Sequence, residues 1–245
     1  MQNNLEYALG NFDDATSRQE YIEYATGNPY AKVDVEHFKE VAKLVEELWS
    51  KRFSSACPDA LIIAGLYHDI DRVFPIEHSN DSSIRTTRRT IDTKSLSDAE
   101  YGTAELKKRV HPKNCAAIFE DYNQKLNTRL KEDVSYLIER HEIGGNKDAT
   151  GKSDILLDSL TKEYNLNAAA DILCEADALV FFTLIIYSYA KDRSINRIQQ
   201  KIRFSYNKLS DFGKQIARDL EYRPVQREDG ELDISTLIQT TINPI

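Results

Sequence analysis

The side chains best able to do chemistry in this chain are imidazoles and carboxylates placed near expected helix ends. His37 falls in the first turn of one expected helix and His68-Asp69 at the C-terminal end of the next. His111 stands just before another, His141 closes a fourth, and Asp177 lies within a long apolar segment. Imidazole nitrogens and carboxylate oxygens bind divalent iron, manganese, zinc or nickel, and helix ends on one side of a bundle can aim them at one point. Six such groups are enough for two metal ions. Neighbours on a helix diverge by about 100°, so His68 and Asp69 share a target only at a fraying last turn. Asp177 precedes Ala178, Leu179, Val180, Phe181 and Phe182, and a carboxylate in such apolar surroundings is costly unless a cation or hydrogen bonds compensate it. Each residue taken alone also has a plainer role. His37 suits a structural histidine, His111 a helix-entry residue before Pro112, and His141 a cation favoured at a helix C-terminus. Arg85, Arg88 and Arg89 suit a solvated loop, and Cys115 and Cys174 a core.

The elements that must position these groups read as helices. Asp34 suits an N-cap, after which Phe38, Val41, Val45, Leu48 and Trp49 recur at three-to-four spacing. Pro58 fits the first turn of a second helix through Ala60, Leu61, Ile63, Ala64 and Leu66 that runs out near Asp69. A polar stretch from 74 to 97 reads as a long loop. Further helices are predicted at 98–109, 112–125, 130–142, 166–190, 194–220 and 231–241, with Gly144-Gly145 ending the one that carries His141. No alternating strand pattern stands out. With no repeat, low-complexity tract or linker, one domain is expected over 34–220, with 1–33 as a helical extension packed on it and 221–245 as a C-terminal segment of the same domain.

Composition narrows the function classes. A chain of 245 residues buries a core without metal or disulfide staples, and nine glycines with six prolines argue against a many-stranded barrel. A net charge of −8 gives no positive field for a nucleic-acid duplex or an anionic membrane. The apolar run from 176 to 190 is too short to span a bilayer and suits a buried helix. The start of the sequence carries no secretory or mitochondrial targeting pattern, and Cys57, Cys115 and Cys174, widely spaced in helix-like segments, suit buried thiols in a reducing cytoplasm.

The joint order of the candidate ligands resembles the HD superfamily of metal-dependent phosphohydrolases. The segments that carry the resemblance are VEHFKEVAKLVEEL around His37, ALIIAGLYHDIDR around His68-Asp69, VHPKNCAAIF around His111, LIERHEIGG around His141 and AADILCEADALVFF around Asp177. The resemblance implies an all-α HD-domain helical bundle with its metal site at helix ends in the bundle core. It implies His37, His68, Asp69 and Asp177 as ligands of a first metal and His111 with His141 as ligands of a second, Asp69 bridging both. Two divalent ions are therefore expected, with Fe, Mn, Mg, Ni and Zn not distinguished.

The implied chemistry is hydrolysis of a phosphate ester or anhydride of a small metabolite or nucleotide by a metal-activated hydroxide. Asp69 and Arg72 are the expected catalytic groups, with Arg72, Arg85, Arg88 and Arg89 toward the substrate phosphate and Lys201 and Arg203 as weaker candidates. The same six ligands also resemble the HD-fold di-iron oxygenases, and a catalytically silent ligand-binding descendant is a third alternative. The chain departs from the family in two places. Arg140-His141 stands where the HD-GYP phosphodiesterases have two histidines, with no G-Y-P following, which argues against cyclic-di-GMP cleavage. In place of H-D-x-G-K the chain reads His68-Asp69-Ile70-Asp71-Arg72, so Arg72 stands in for the cation and Asp71 adds negative charge. The expected partner is a small phosphorylated substrate, with no duplex and no membrane; a homodimer is left open.

Overall fold

The computed structural model of the protein describes residues 4–17, 31–72, 111–145 and 164–243. The elements are α1 (Asn4–Ser17), α2 (Ala31–Arg52), α3 (Asp59–Tyr67), a 3-10 turn (Ile70–Arg72), α4 (His111–Tyr122), α5 (Thr128–Arg140) and α6 (Leu166–Val180). They continue through a π-helical turn (Phe181–Ile185), α7 (Ile186–Asp192), α8 (Ile195–Lys208), α9 (Asp211–Asp219), a short hairpin of β1 (Val225–Arg227) and β2 (Gly230–Leu232), and α10 (Ile234–Ile242). The fold is all-α, as the helix-period pattern and sparse glycine imply. The chain forms two compact units, Met1–Cys174 and Glu175–Ile245, and the division falls within α6. The predicted loop over 74–97 and helix over 98–109 lie outside the described residues.

In the first unit, α3 is buried on every side, from Ala60 and Leu61 to Leu66 and Tyr67, which explains its unbroken apolar composition. It starts at Pro58, whose extended ψ of 135° makes it the N-cap, and Leu61 N–H bonds back to the Pro58 carbonyl at 2.9 Å. Gly65 lets α2 and α3 approach closely, since a Cβ there would lie 2.8 Å from Ala42 Cα. Behind this pair runs a chain of edge-to-face rings: Phe12 against Phe38 at 6.3 Å, Phe12 against Tyr67 at 5.5 Å, and Tyr67 against Phe119 at 5.3 Å. The Tyr67 hydroxyl donates to the Ala8 carbonyl at 3.1 Å, so α1 is tied to the end of α3.

α5 begins where Asn127 accepts hydrogen bonds from the N–H groups of Arg129 and Leu130, and ends as expected at Gly144, which adopts φ +77°. Gly144 N–H bonds Arg140 O at 2.8 Å, and the Arg140 guanidinium bonds the carbonyls of Gly144 and Gly145. Gly145 N–H in turn bonds Asp171 Oδ1 at 2.8 Å. A Cβ on Gly145 would fall 1.9 Å from the Asn167 carbonyl oxygen, so only glycine fits this crossing.

In the second unit the structure divides the helix expected over 194–220. Leu209 leaves the helical region with ψ 141°, and Ser210 caps α9 by accepting Gly213 N–H while donating to the buried Glu175 carboxylate at 2.5 Å. The side chain of Ser210 thus competes with the helix for its own segment. The hairpin pairs Val225 with Leu232 and Arg227 with Gly230. Strands of three residues are too short to show alternation, which is why none was expected. Arg227 fastens the hairpin by donating to the carbonyls of Ala190 and Arg193 at the end of α7. The segment read as one helix over 166–190 holds the π-helical turn after α6, and no described helix is long and apolar enough to cross a membrane.

Candidate metal centre

α2, α3, α4 and α5 bring His37, His68, Asp69, His111 and His141 together within the first unit. α2 starts at Ala31, so Asp34 sits inside its first turn and not at the N-cap, and His37 falls in the second turn. An acidic side chain there still faces the positive helix end, so sequence pattern places the helix and leaves its first residue open by a few positions. α3 stops at Tyr67, and His68-Asp69 occupies the turn before the 3-10 helix, where Arg72 N–H bonds Asp69 O at 3.0 Å. That change of winding lets the two neighbours face one point. His111 is the first residue of α4, and His141 caps α5 in a helical conformation.

Asp69 is fully buried at the middle of the cluster. Its Oδ2 faces His37 Nε2 at 3.5 Å and His68 Nε2 at 3.6 Å, while its Oδ1 faces His111 Nε2 at 2.5 Å and His141 Nε2 at 3.6 Å. One carboxylate therefore divides four imidazoles into two pairs. The ring orientations are set from behind: His68 Nδ1 donates to Gly65 O at 2.8 Å and His141 Nδ1 to Ile138 O at 2.7 Å, so in the neutral ring each Nε2 is a lone pair aimed inward. His37 Nε2 lies 3.0 Å from His68 Nε2.

Burial alone would push the Asp69 carboxyl up, but the charges of Arg72, His68 and His111 overcome it and hold the group well below the carboxylate range. Arg72, three residues on, contacts Asp69 Oδ2 directly. His111 moves the other way. Burial would lower its imidazole, and Asp71, Cys115 and Asp69 more than reverse this, raising it well above its ordinary value. Among the described residues Asp69 Oδ2 takes no hydrogen bond of ordinary geometry although nitrogens crowd around it, which is the pattern expected of an oxygen shaped for a cation. The donor set of imidazole nitrogens and carboxylate oxygens fits divalent transition ions.

The remaining expected site residues belong to the second unit or fall outside the described residues. Asp177 belongs to α6 in the second unit, with Lys208 Nζ 3.4 Å from its Oδ2. Lys201 stands over the rings of Phe181 and Phe204 at 5.6 and 5.1 Å. Arg85, Arg88 and Arg89 fall outside the described residues. Two pairings escaped the sequence reading, that of Lys208 with Asp177 and that of Asp71 with His111. Lys208 repeats Lys201 after seven positions, a stripe that helical periodicity could have found. Asp71 reaches His111 across 40 positions, which no local pattern reveals. Cys115 and Cys174 are buried free thiols as expected, but Cys57 is half-buried in the connection before Pro58 and not in a helix.

A family model described as HD domain matches residues 34–181, more than half of the chain. No curated protein and no solved structure matches it.

Proposed function

The chain belongs to the HD-domain family, and from that membership we propose that it is a metal-dependent phosphohydrolase acting on a small phosphorylated metabolite or nucleotide. The observation that carries this reading is the division of Asp69, with one oxygen toward His37 and His68 and the other toward His111 and His141. Two ions are proposed, one at each pair with Asp69 shared between them. Asp177 is proposed as a further ligand on the family pattern alone. A divalent ion bound to such a carboxylate and imidazole set supplies Lewis acidity toward a phosphoryl oxygen and lowers the pKa of water.

The chain's own side chains do the rest. His68 and His141, anchored through Nδ1 on backbone carbonyls, need no reorientation to present Nε2. The Arg72 side chain is 25% exposed where that of Asp69 is 1% exposed, so Arg72 is partly open to a dissolved phosphate. Its planar fork matches two phosphate oxygens and offsets the charge that builds on them. Arg85, Arg88 and Arg89 are proposed as further phosphate contacts. The free thiols fit a reducing compartment, and we place the protein in the cytoplasm on that ground.

The test is a panel of phosphomonoesters, phosphodiesters and nucleotides, assayed for hydrolysis with protein loaded separately with Mn, Fe, Co, Ni or Zn. The expected result is metal-dependent hydrolysis of at least one substrate class, abolished by Asp69→Ala. A protein holding two ions that hydrolyses none of them, and consumes oxygen when loaded with iron, overturns the reading in favour of an oxygenase.

A further inference from the structure

The imidazoles whose Nε2 atoms face Asp69 are not anchored alike. His68 and His141 hold their Nδ1 protons on neutral backbone carbonyls. His111 instead has a carboxylate behind it: Asp71 Oδ1 lies 2.7 Å from Nδ1, with Cys115 Sγ at 3.8 Å on the same nitrogen. Asp71 is 4% exposed, and among the described residues neither of its oxygens takes a hydrogen bond of ordinary geometry. A buried carboxylate so placed is costly unless a donor turns to it. The 2.7 Å approach lies off the N–H direction of the ring, so a small rotation of either group completes the bond. When Nε2 gives its lone pair to a cation, the ring proton sits on Nδ1, and Asp71 is the strong acceptor within reach.

We propose that Asp71 is a positioning residue that accepts a hydrogen bond from the Nδ1–H of His111, making His111 more electron-rich than His68 and His141 and the ion shared by Asp69, His111 and His141 the more tightly held of the two. The inference rests on the two-ion reading of the site. A carboxylate acceptor fixes the ring and raises the basicity of the opposite nitrogen, and loss of such a partner typically lowers metal affinity about 10- to 100-fold. The position is the one where the family pattern carries glycine, so the device belongs to this chain's own sequence.

The test is calorimetric titration of metal-free protein with Co²⁺, in the wild type, Asp71→Asn and Asp71→Ala. His141→Ala and His37→Ala identify the two binding steps. Asparagine keeps a neutral acceptor, like the carbonyls behind His68 and His141, and alanine leaves none. The step lost in His141→Ala should be the tighter one in the wild type. It should weaken about 10-fold in Asp71→Asn and toward 100-fold in Asp71→Ala, while the step lost in His37→Ala stays within about 2-fold. Unchanged affinities in both variants, or equal weakening of both steps with a lowered melting temperature of the metal-free protein, overturn the role of Asp71. A wild type that takes up fewer than two ions overturns the two-ion reading itself, and this inference with it.

Discussion

The Nε2 atoms of His37 and His68 meet at 3.0 Å across a sequence separation of 31 residues. Because His68 Nδ1 already donates to Gly65 O, its Nε2 is an acceptor when the ring is neutral, and a proton on His37 Nε2 then bridges the pair. Two positive charges cannot occupy that gap, whereas one cation can draw both lone pairs.

Removing metal should therefore lower stability. At a free ion concentration 100 times the Kd, one site contributes about 2.7 kcal/mol, a shift of roughly 5–10 °C in the melting of a chain this long. Calorimetry before and after chelation, followed by re-addition of Mn²⁺ or Co²⁺, measures it. An identical melting curve in all three states would rule out the centre.

Arg72→Ala should lower kcat/KM on the best phosphorylated substrate by about 10²–10³, with Arg72→Lys recovering part of the loss because charge survives without the fork. Since Arg72 contacts Asp69 itself, the alanine variant should also destabilise metal-free protein more than metal-loaded protein, in which bound cations replace the lost charge. Comparing melting temperatures of both forms separates this from a catalytic effect alone.

In the metal-free chain the His111 imidazole is held well above its ordinary value of 6.5. Its folded-state pKa is raised, so its contribution to stability is fully present below about 6.5 and is lost as pH rises through the raised value. The depressed Asp69 works oppositely, its contribution being present above the ordinary carboxylate value and lost as pH falls through the folded one. Metal uptake at His111 displaces the proton on Nε2, so apparent affinity for Co²⁺ should climb with pH above 6.5, with proton release that titrations in buffers of different ionisation enthalpy detect.

Gly145→Ala should destabilise the first unit by about 1–3 kcal/mol or more, because its Cβ would collide with the Asn167 carbonyl on α6. The displaced turn carries His141 with it, so metal content should fall alongside the melting temperature. Gly10→Ala, with open space around its Cβ, is the control that should change neither.

The helices that deliver His37, His111 and His141 were legible because their apolar faces repeat at helical spacing. The His-Asp dipeptide was legible as a helix end because apolar residues run straight into it. Ser210 was not legible as a break, since the Glu175 carboxylate that holds its hydroxyl lies 35 positions away. Asp71 could be seen to depart from the family pattern, yet its partner His111 is fixed by the crossing of α4 with the 3-10 turn, a tertiary fact with no local signature. The π-helical turn after Val180 holds bulky side chains, Phe181 and Phe182, that an α-helix accommodates equally well.

Tyr67 and His68 are consecutive, yet one side chain packs into the apolar core and the other faces Asp69. The Tyr67 ring is wedged between Phe12 and Phe119 with its hydroxyl on the Ala8 carbonyl. Any displacement of α1 is consequently transmitted across one peptide unit to the His68 imidazole. The amino-terminal helix is in this sense a lever whose fulcrum is Tyr67. Trimming it away would empty the space filled by Phe12 and strand a phenol directly behind the centre, so a shortened protein should load metal poorly even with every ligand in place.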